Sequence, residues 1–488
     1  MLRRRLPWVI ACAALIASST IAREGPGHEA SVVRIVNYAQ PADWSSPWSA
    51  RKVDEISGSG FVIEGGLVMT NAHVVSDSRS LLIHVLNDPT PHEAEVVPLG
   101  HDCDLALIRP KDPTALRGRA PLRFGGLPRL GSSVDTLGYP TGGLHVSSTR
   151  GVVSRIEEQV YVHSAVDGHL AVQTDAATNP GSSGGPVVQN GRVVGVAFES
   201  NADLQSVGYF IPVEVISRFL RDVSDGHYDG YPDLGVLTAS MEHPAARSRA
   251  GMAEDETGAR AFRTIRGSST HGLILVDDII LAVNGRTVAN DGTVADGAER
   301  MRFNMLIDRM FIGESATIRV LRAGKRFDVE VPLQRMRFAE SRRNAYDQNP
   351  RYYVYGGLIF VPLCRATMST YGEDWGRKAP TELLDQFLYR DLVDREFEDR
   401  ERVVLLRRLD DPVNIEMAWY SGQIVERVNG RTIGWLDDLI AAFAQNQADY
   451  HVIEFVHGKR FGVLDRRKAD AANAGILERY GIPRDRAP

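Results

Sequence analysis

Asn179-Pro180-Gly181-Ser182-Ser183-Gly184-Gly185-Pro186, followed by Val187-Val188, is the stretch on which the reading of this chain turns. A serine among glycines, with an apolar run after it, reads either as a turn between two strands or as a nucleophile. The second reading has a physical basis. Glycines admit backbone conformations closed to other residues and keep bulk away from an approaching carbonyl. Two backbone N–H groups can then converge on one spot and hold a developing oxyanion.

The decision rests on partners elsewhere. Upstream, Gly58-Ser59-Gly60-Phe61-Val62-Ile63 and Gly66-Leu67-Val68-Met69-Thr70-Asn71-Ala72-His73-Val74-Val75 read as two short strands with a histidine at the end. Next comes Asp102-Cys103-Asp104-Leu105-Ala106-Leu107-Ile108, an acid carried into an apolar run. A buried carboxylate is costly unless paired, and an imidazole N–H is the partner this site calls for. Asp102 competes for the role. Asp104 is preferred because it directly precedes Leu-Ala-Leu-Ile. The order His73, Asp104, Ser183 is that of the chymotrypsin-type arrangement. Ser182 is a rival nucleophile, but only Ser183 directly precedes Gly-Gly-Pro.

Together these segments resemble the HtrA/Deg family of serine proteases, chymotrypsin-fold peptidases followed by PDZ domains. Thr174 to Pro186 is similar to that family's serine segment almost residue for residue, with Ser182 where the family usually has Asn. Gly138-Tyr139-Pro140-Thr141-Gly142-Gly143, Gly230-Tyr231-Pro232 and Asn290-Asp291-Gly292-Thr293-Val294 are similar to the plant-type Deg branch. The resemblance implies a serine endopeptidase, independent of ATP and of any cofactor or metal, acting on unfolded or damaged proteins and assembled as trimers or multiples of trimers. Within it, His73 is the general base, Asp104 orients it, Ser183 attacks, and the Gly181 and Ser183 amides form the oxyanion hole. The uncharged Ala177, Thr178, Val196 and Ala197 are expected to line a substrate pocket for small or medium apolar side chains. A PDZ-based chaperone or scaffold with its protease domain held inactive is the alternative. The segment bearing Tyr38, Trp44 and Trp48 is either a subunit contact or cover for the barrel.

The expected fold is mainly β: a chymotrypsin-like double β-barrel over 30–226, then two PDZ-like α+β domains at 228–338 and 350–466, and a C-terminal tail at 467–488. The chain has 488 residues, enough for about three domains. Short Val/Ile/Leu runs between Gly, Pro and Asp turns fill the first part, and 212–221 reads as its closing helix. Beyond lies an internal repeat. Asp278-Ile279-Ile280-Leu281-Ala282-Val283-Asn284-Gly285-Arg286-Thr287-Val288 returns as Gln423-Ile424-Val425-Glu426-Arg427-Val428-Asn429-Gly430-Arg431-Thr432-Ile433, and Gly324-Lys325-Arg326-Phe327 as Gly458-Lys459-Arg460-Phe461. Asn-Gly is a strong hairpin signal. Leu234-Gly235-Val236 resembles a PDZ carboxylate-binding loop, which takes peptide C-termini. In the second unit only Gly356-Gly357-Leu358-Ile359-Phe360 offers a comparable loop.

Charge and cysteine content bound the rest. A net charge of −6 argues against nucleic acid as a partner. Arg3-Arg4-Arg5, the apolar Trp8 to Ile16 and the small residues ending at Ala22 read as a signal peptide over 1–22, shorter than a spanning helix needs. A retained signal would anchor the chain to a membrane. Only Cys103 and Cys364 follow it, so no disulfide framework is expected. Export to a periplasm is the expected location.

Overall fold

A computed structural model of the chain describes residues 27–176, 179–200, 208–297, 299–336, 340–390, 400–456 and 460–487. The proposed signal peptide, Ala177 and Thr178 lie outside them.

Two closed six-stranded barrels come first. β1 (Val32–Ala39), β2 (Asp54–Ile63), β3 (Leu67–Thr70), β4 (Ser78–Val85), β5 (His92–Gly100) and β6 (Leu105–Pro110) close in the order β1-β2-β3-β6-β5-β4. β7 (Ser133–Gly138), β8 (Ser147–Val160), β9 (Gly168–Thr174), β10 (Pro186–Gln189), β11 (Arg192–Ser200) and β12 (Gly208–Pro212) close as β10-β11-β12-β9-β8-β7. Closure leaves no open sheet edge. The one-turn helix α1 (Ala72–Val75) follows β3, and α2 (Val213–Asp222) closes the domain with Val215, Ile216 and Phe219 buried.

The first repeat unit is a sheet of β13 (Val236–Ala239), β14 (Ala259–Thr264), β15 (Ile279–Val283), β19 (Ser315–Arg322) and β20 (Lys325–Pro332), in that order, with β16 (Arg286–Thr287) on β15 and a hairpin of β17 (Thr293–Asp296) and β18 (Glu299–Arg302). The second repeats the path. β22 (Leu358–Pro362), β23 (Val403–Arg408), β24 (Gln423–Val428), β26 (Tyr450–Phe455) and β27 (Phe461–Asp465) stand in for β13, β14, β15, β19 and β20, and β25 (Arg431–Thr432) for β16. Both Asn-Gly pairs close hairpins with positive φ at each residue, 48° and 74° at Asn284-Gly285, 53° and 78° at Asn429-Gly430. Few other residue pairs tolerate that turn.

The second unit adds a strand, β21 (Tyr352–Tyr355), that pairs antiparallel with β22 and packs under the helix α3 (Leu436–Ala444). The stretch 467–488 departs from the expected tail. It carries most of α4 (Arg466–Arg479), whose Ala469 and Ile476 are buried, and β28 (Arg486–Ala487), which pairs with β21. Trp48 meets Tyr352 of this unit edge to face at 6.0 Å. That aromatic therefore joins the first barrel to its own second PDZ unit.

The first unit is seated on the barrels. Met305 belongs to the same hydrophobic core as α2, Tyr231 and the barrel residues. Arg218 of α2, 2% exposed, pairs with Asp222 at 2.8 Å and donates to the carbonyls of Gly230 and Met310. His169 of β9 pairs with Asp308 at 2.7 Å.

Candidate active site

The site lies between the barrels. The first barrel supplies His73, on α1, and Asp104, at the entry to β6. His73 Nδ1 lies 2.7 Å from Asp104 Oδ2, and the His73 amide donates to Asp104 Oδ1 at 2.9 Å. Asp104 is 1% exposed and sits at φ 51°, a conformation non-glycine residues rarely hold. Asn71 fixes it there by donating from its side chain to the Asp104 carbonyl at 2.9 Å. Burial pushes the Asp104 carboxyl up, but the nearby His73 and His163 and the bonds from His73 outweigh it and hold it below its ordinary value. Asp102 is turned away. Its Oδ1 accepts from the hydroxyl of Tyr228, on the connection to the first PDZ unit.

The second barrel supplies the serine loop. Ser183 donates through Oγ to the Phe198 carbonyl at 3.3 Å. Ser182 is 7% exposed and lies below the loop surface. The amides of Ser182, Gly184 and Gly185 are spent on Asn179, Ala197 and Ser182 carbonyls. Those of Gly181 and Ser183 enter no internal hydrogen bond among the described residues.

Ser59 of β2 ties the two halves together. Its amide donates to the Ser183 carbonyl at 2.8 Å and its Oγ to the Gly181 carbonyl at 2.7 Å, while it accepts from the Tyr139 amide at 2.8 Å. Thr70, just before α1, donates to the Ser59 carbonyl at 2.7 Å. Ser59 and Asn71 stood within quoted motifs without a role. Polar residues flanked by glycine or small residues, Ser59 within β2 and Asn71 just after β3, were the available signal.

Two expected pocket residues are corrected. Val196 and Ala197 on β11 are 0% and 1% exposed, and both belong to hydrophobic cores. Their register with Pro186 and the serine loop makes them its support, not a substrate surface.

The Leu234-Gly235-Val236 loop precedes β13, whose outer edge has no strand partner among the described residues. Gly235 N–H is taken by the Asp233 carboxylate at 2.6 Å. In the second unit the matching edge is filled. β21 lies where a peptide would add to β22, with Tyr353 and Tyr355 against Phe443 of α3, and the Gly356 amide is taken by Asn473 of α4.

Two closed barrels, the first carrying a buried Asp–His pair and the second a glycine-flanked serine loop, are the architecture of a trypsin-like serine endopeptidase. Residues 58–196 match the trypsin-like peptidase domain and 341–488 a PDZ domain. The chain is 35% identical to protease Do-like 2, chloroplastic, of Arabidopsis thaliana, over 94% of this chain and 76% of that protein. It is 36% identical to protease Do-like 4, mitochondrial, of the same plant, over 93% of this chain and 84% of the relative. The solved HtrA-type protease AlgW with tripeptide shares the fold, at a TM-score of 0.50 and 22% identity, over 63% of this chain and 94% of that one. The chain belongs to the HtrA/Deg family of serine proteases.

Proposed function

We propose that the chain cleaves unfolded or damaged proteins by acyl transfer, without ATP, as a protein quality-control enzyme. The observation that carries this is the Asp104 carboxylate. It is buried, and both its oxygens are engaged by His73, the arrangement that fixes an imidazole as general base. The Ser183 hydroxyl leaves the Phe198 carbonyl, passes its proton to His73 Nε2 and attacks the scissile carbonyl. The oxyanion meets the Gly181 and Ser183 amides, each worth about 3–4 kcal/mol in comparable sites. His73 then protonates the leaving amine, and water hydrolyses the acyl-enzyme by the same route.

The free edge of β13 supports capture of peptide ends by the first PDZ unit. The filled groove of the second supports a role for that unit in assembly or regulation. Trimeric assembly and export directed by residues 1–22 complete the reading. A periplasm is its first choice of compartment, and the chloroplastic and mitochondrial names of the relatives favour an organelle as the second.

Unfolded casein incubated with wild type and Ser183→Ala tests this. Wild type should degrade casein, and the variant should lose at least about 10³-fold in rate. If both proteins leave casein intact yet suppress its aggregation, the chaperone reading replaces this one.

A further inference from the structure

The loop 161–167 joins β8 to β9 and passes beside the catalytic pair. His163 on it is 5% exposed, and its ring centre lies 6.1 Å from that of His73. A face of the His163 ring is covered by a residue from far along the chain. Tyr346, in the linker between the two PDZ units, stacks on it with centres 4.1 Å apart and planes at 18°. The Tyr346 hydroxyl and the Asn344 side chain donate to the His163 carbonyl at 3.2 and 2.9 Å. His101 braces the edge, its Nδ1 2.9 Å from His163 Nε2 and its Nε2 3.2 Å from linker Asp347.

The linker is clamped at two further points. Arg343 pairs bidentately with Asp167 at 2.6 and 2.7 Å. Asp77, just beyond α1, and Asp347 each donate an amide to the other's carboxylate, at 2.7 and 2.8 Å. The same segment is bound to the second PDZ unit, where Arg365 donates to the Asn344 side chain and to the Ser341 carbonyl, both at 2.8 Å. One short stretch, 341–347, therefore touches the second PDZ unit, the loop beside His73 and the end of the helix that carries His73.

We propose that Tyr346 is a positioning residue for the His73–Asp104 pair, acting through His163 as a wall that keeps water from the buried Asp104 carboxylate. The inference rests on the peptidase reading of that pair. An Asp–His hydrogen bond is strong where the local dielectric is low and loosens when water enters. His163 is suited to the wall because it is neutral near pH 7, burial having pushed it down to about 4. Placing the wall's outer half on the linker makes catalytic alignment depend on where the second PDZ unit sits.

The test uses the full chain with Tyr346→Ala and Tyr346→Phe, and two readouts. The first is turnover of an internally quenched peptide. The second is hydrogen exchange at the His73 amide, which donates to Asp104 Oδ1 and reports alignment without turnover. Tyr346→Ala should lower kcat about tenfold or more with KM within twofold, the scale of an ångström-level misplacement. It should also speed exchange at His73 while α2 keeps its protection. Tyr346→Phe, which keeps the stacked ring, should restore both. Tyr346→Leu replaces the alanine variant if that fails to fold, with the same expectation. Unchanged kcat and unchanged His73 protection in the variant that removes the ring overturn the inference. A wild type that turns over no peptide overturns the peptidase reading, and the exchange at His73 then decides the positioning role by itself.

Discussion

At the scale of single residues, Ser59 shows how a side chain with one hydroxyl can hold a site that spans two barrels. It sits on β2, but three of its bonds run to the opposite barrel, to the Gly181 and Ser183 carbonyls and from the Tyr139 amide. Ser59→Ala leaves the Gly181 carbonyl and the Tyr139 amide without their buried partner, at a cost of about 1–3 kcal/mol. It also releases the carbonyl side of Gly181, between the two amides proposed for the oxyanion. Stability and kcat should therefore fall together, with KM little changed. Denaturant unfolding alongside peptide turnover checks this; loss of stability with full kcat would assign Ser59 to the fold alone. His73, Asp104 and Ser183 could be proposed from the sequence because each stands in a local motif whose chemistry needs that residue type, and the structure adds the pairing of the first two. Ser59 and His163 could not be, because their roles arise from contacts 122 and 183 residues away along the chain.

The elements of the second PDZ unit show a groove filled by its own chain. β21 reverses at Gly356-Gly357 into β22, so the strand that would bind a peptide is already paired. Gly357 has φ 79°, and a Cβ there would run into the Asn414 side chain and come within 2.7 Å of the Leu409 carbonyl. Gly357→Ala should destabilise this unit by at least about 1–2 kcal/mol, the left-handed cost alone. Hydrogen exchange in the full chain should quicken in β21 and β22 and stay unchanged in the barrels. Equal exchange in both strands would show that the hairpin tolerates a side chain. Elements with strong periodicity were readable: 212–221 was expected as a helix and α2 runs Val213–Asp222. α4 was not, because its inward residues include the small Ala469 and the rest of it is mostly charged or small, which leaves little apolar period. β21 was hidden for another reason. Tyr-Tyr-Val-Tyr reads as a strand, but nothing local says that it pairs where a ligand would.

Across the whole molecule, two histidines tie the PDZ half to the barrels, and they titrate in opposite senses. His163 holds the linker seat as a neutral ring, at about 4 in the fold against 6.5 when free. The unfolded chain binds the proton more readily, so this seat is fully stable above about pH 6.5 and weakens as pH falls toward 4, by about 3 kcal/mol over the window. His451, also lowered to about 4, adds a slope of the same sign from within the second PDZ unit, so a variant is needed to isolate His163. His169 behaves the other way. Burial alone would push it down, but the charge and hydrogen bond of Asp308 outweigh this and raise it above its ordinary value, with Asp167 and Asp102 adding to the pull. Its contribution to the seating of the first PDZ unit is complete below about pH 6.5 and fades as pH climbs through the raised folded value. Hydrogen exchange measured from pH 4 to pH 9, corrected for intrinsic rates, should show the linker side opening in acid and the 301–311 side opening in base. His163→Gln should flatten the acid limb at 161–167 only, and Asp308→Asn the alkaline limb at 301–311 only. A single variant that flattens both limbs would mean that the two PDZ units leave the barrels as one body, and that the linker and α2 seats are not independent.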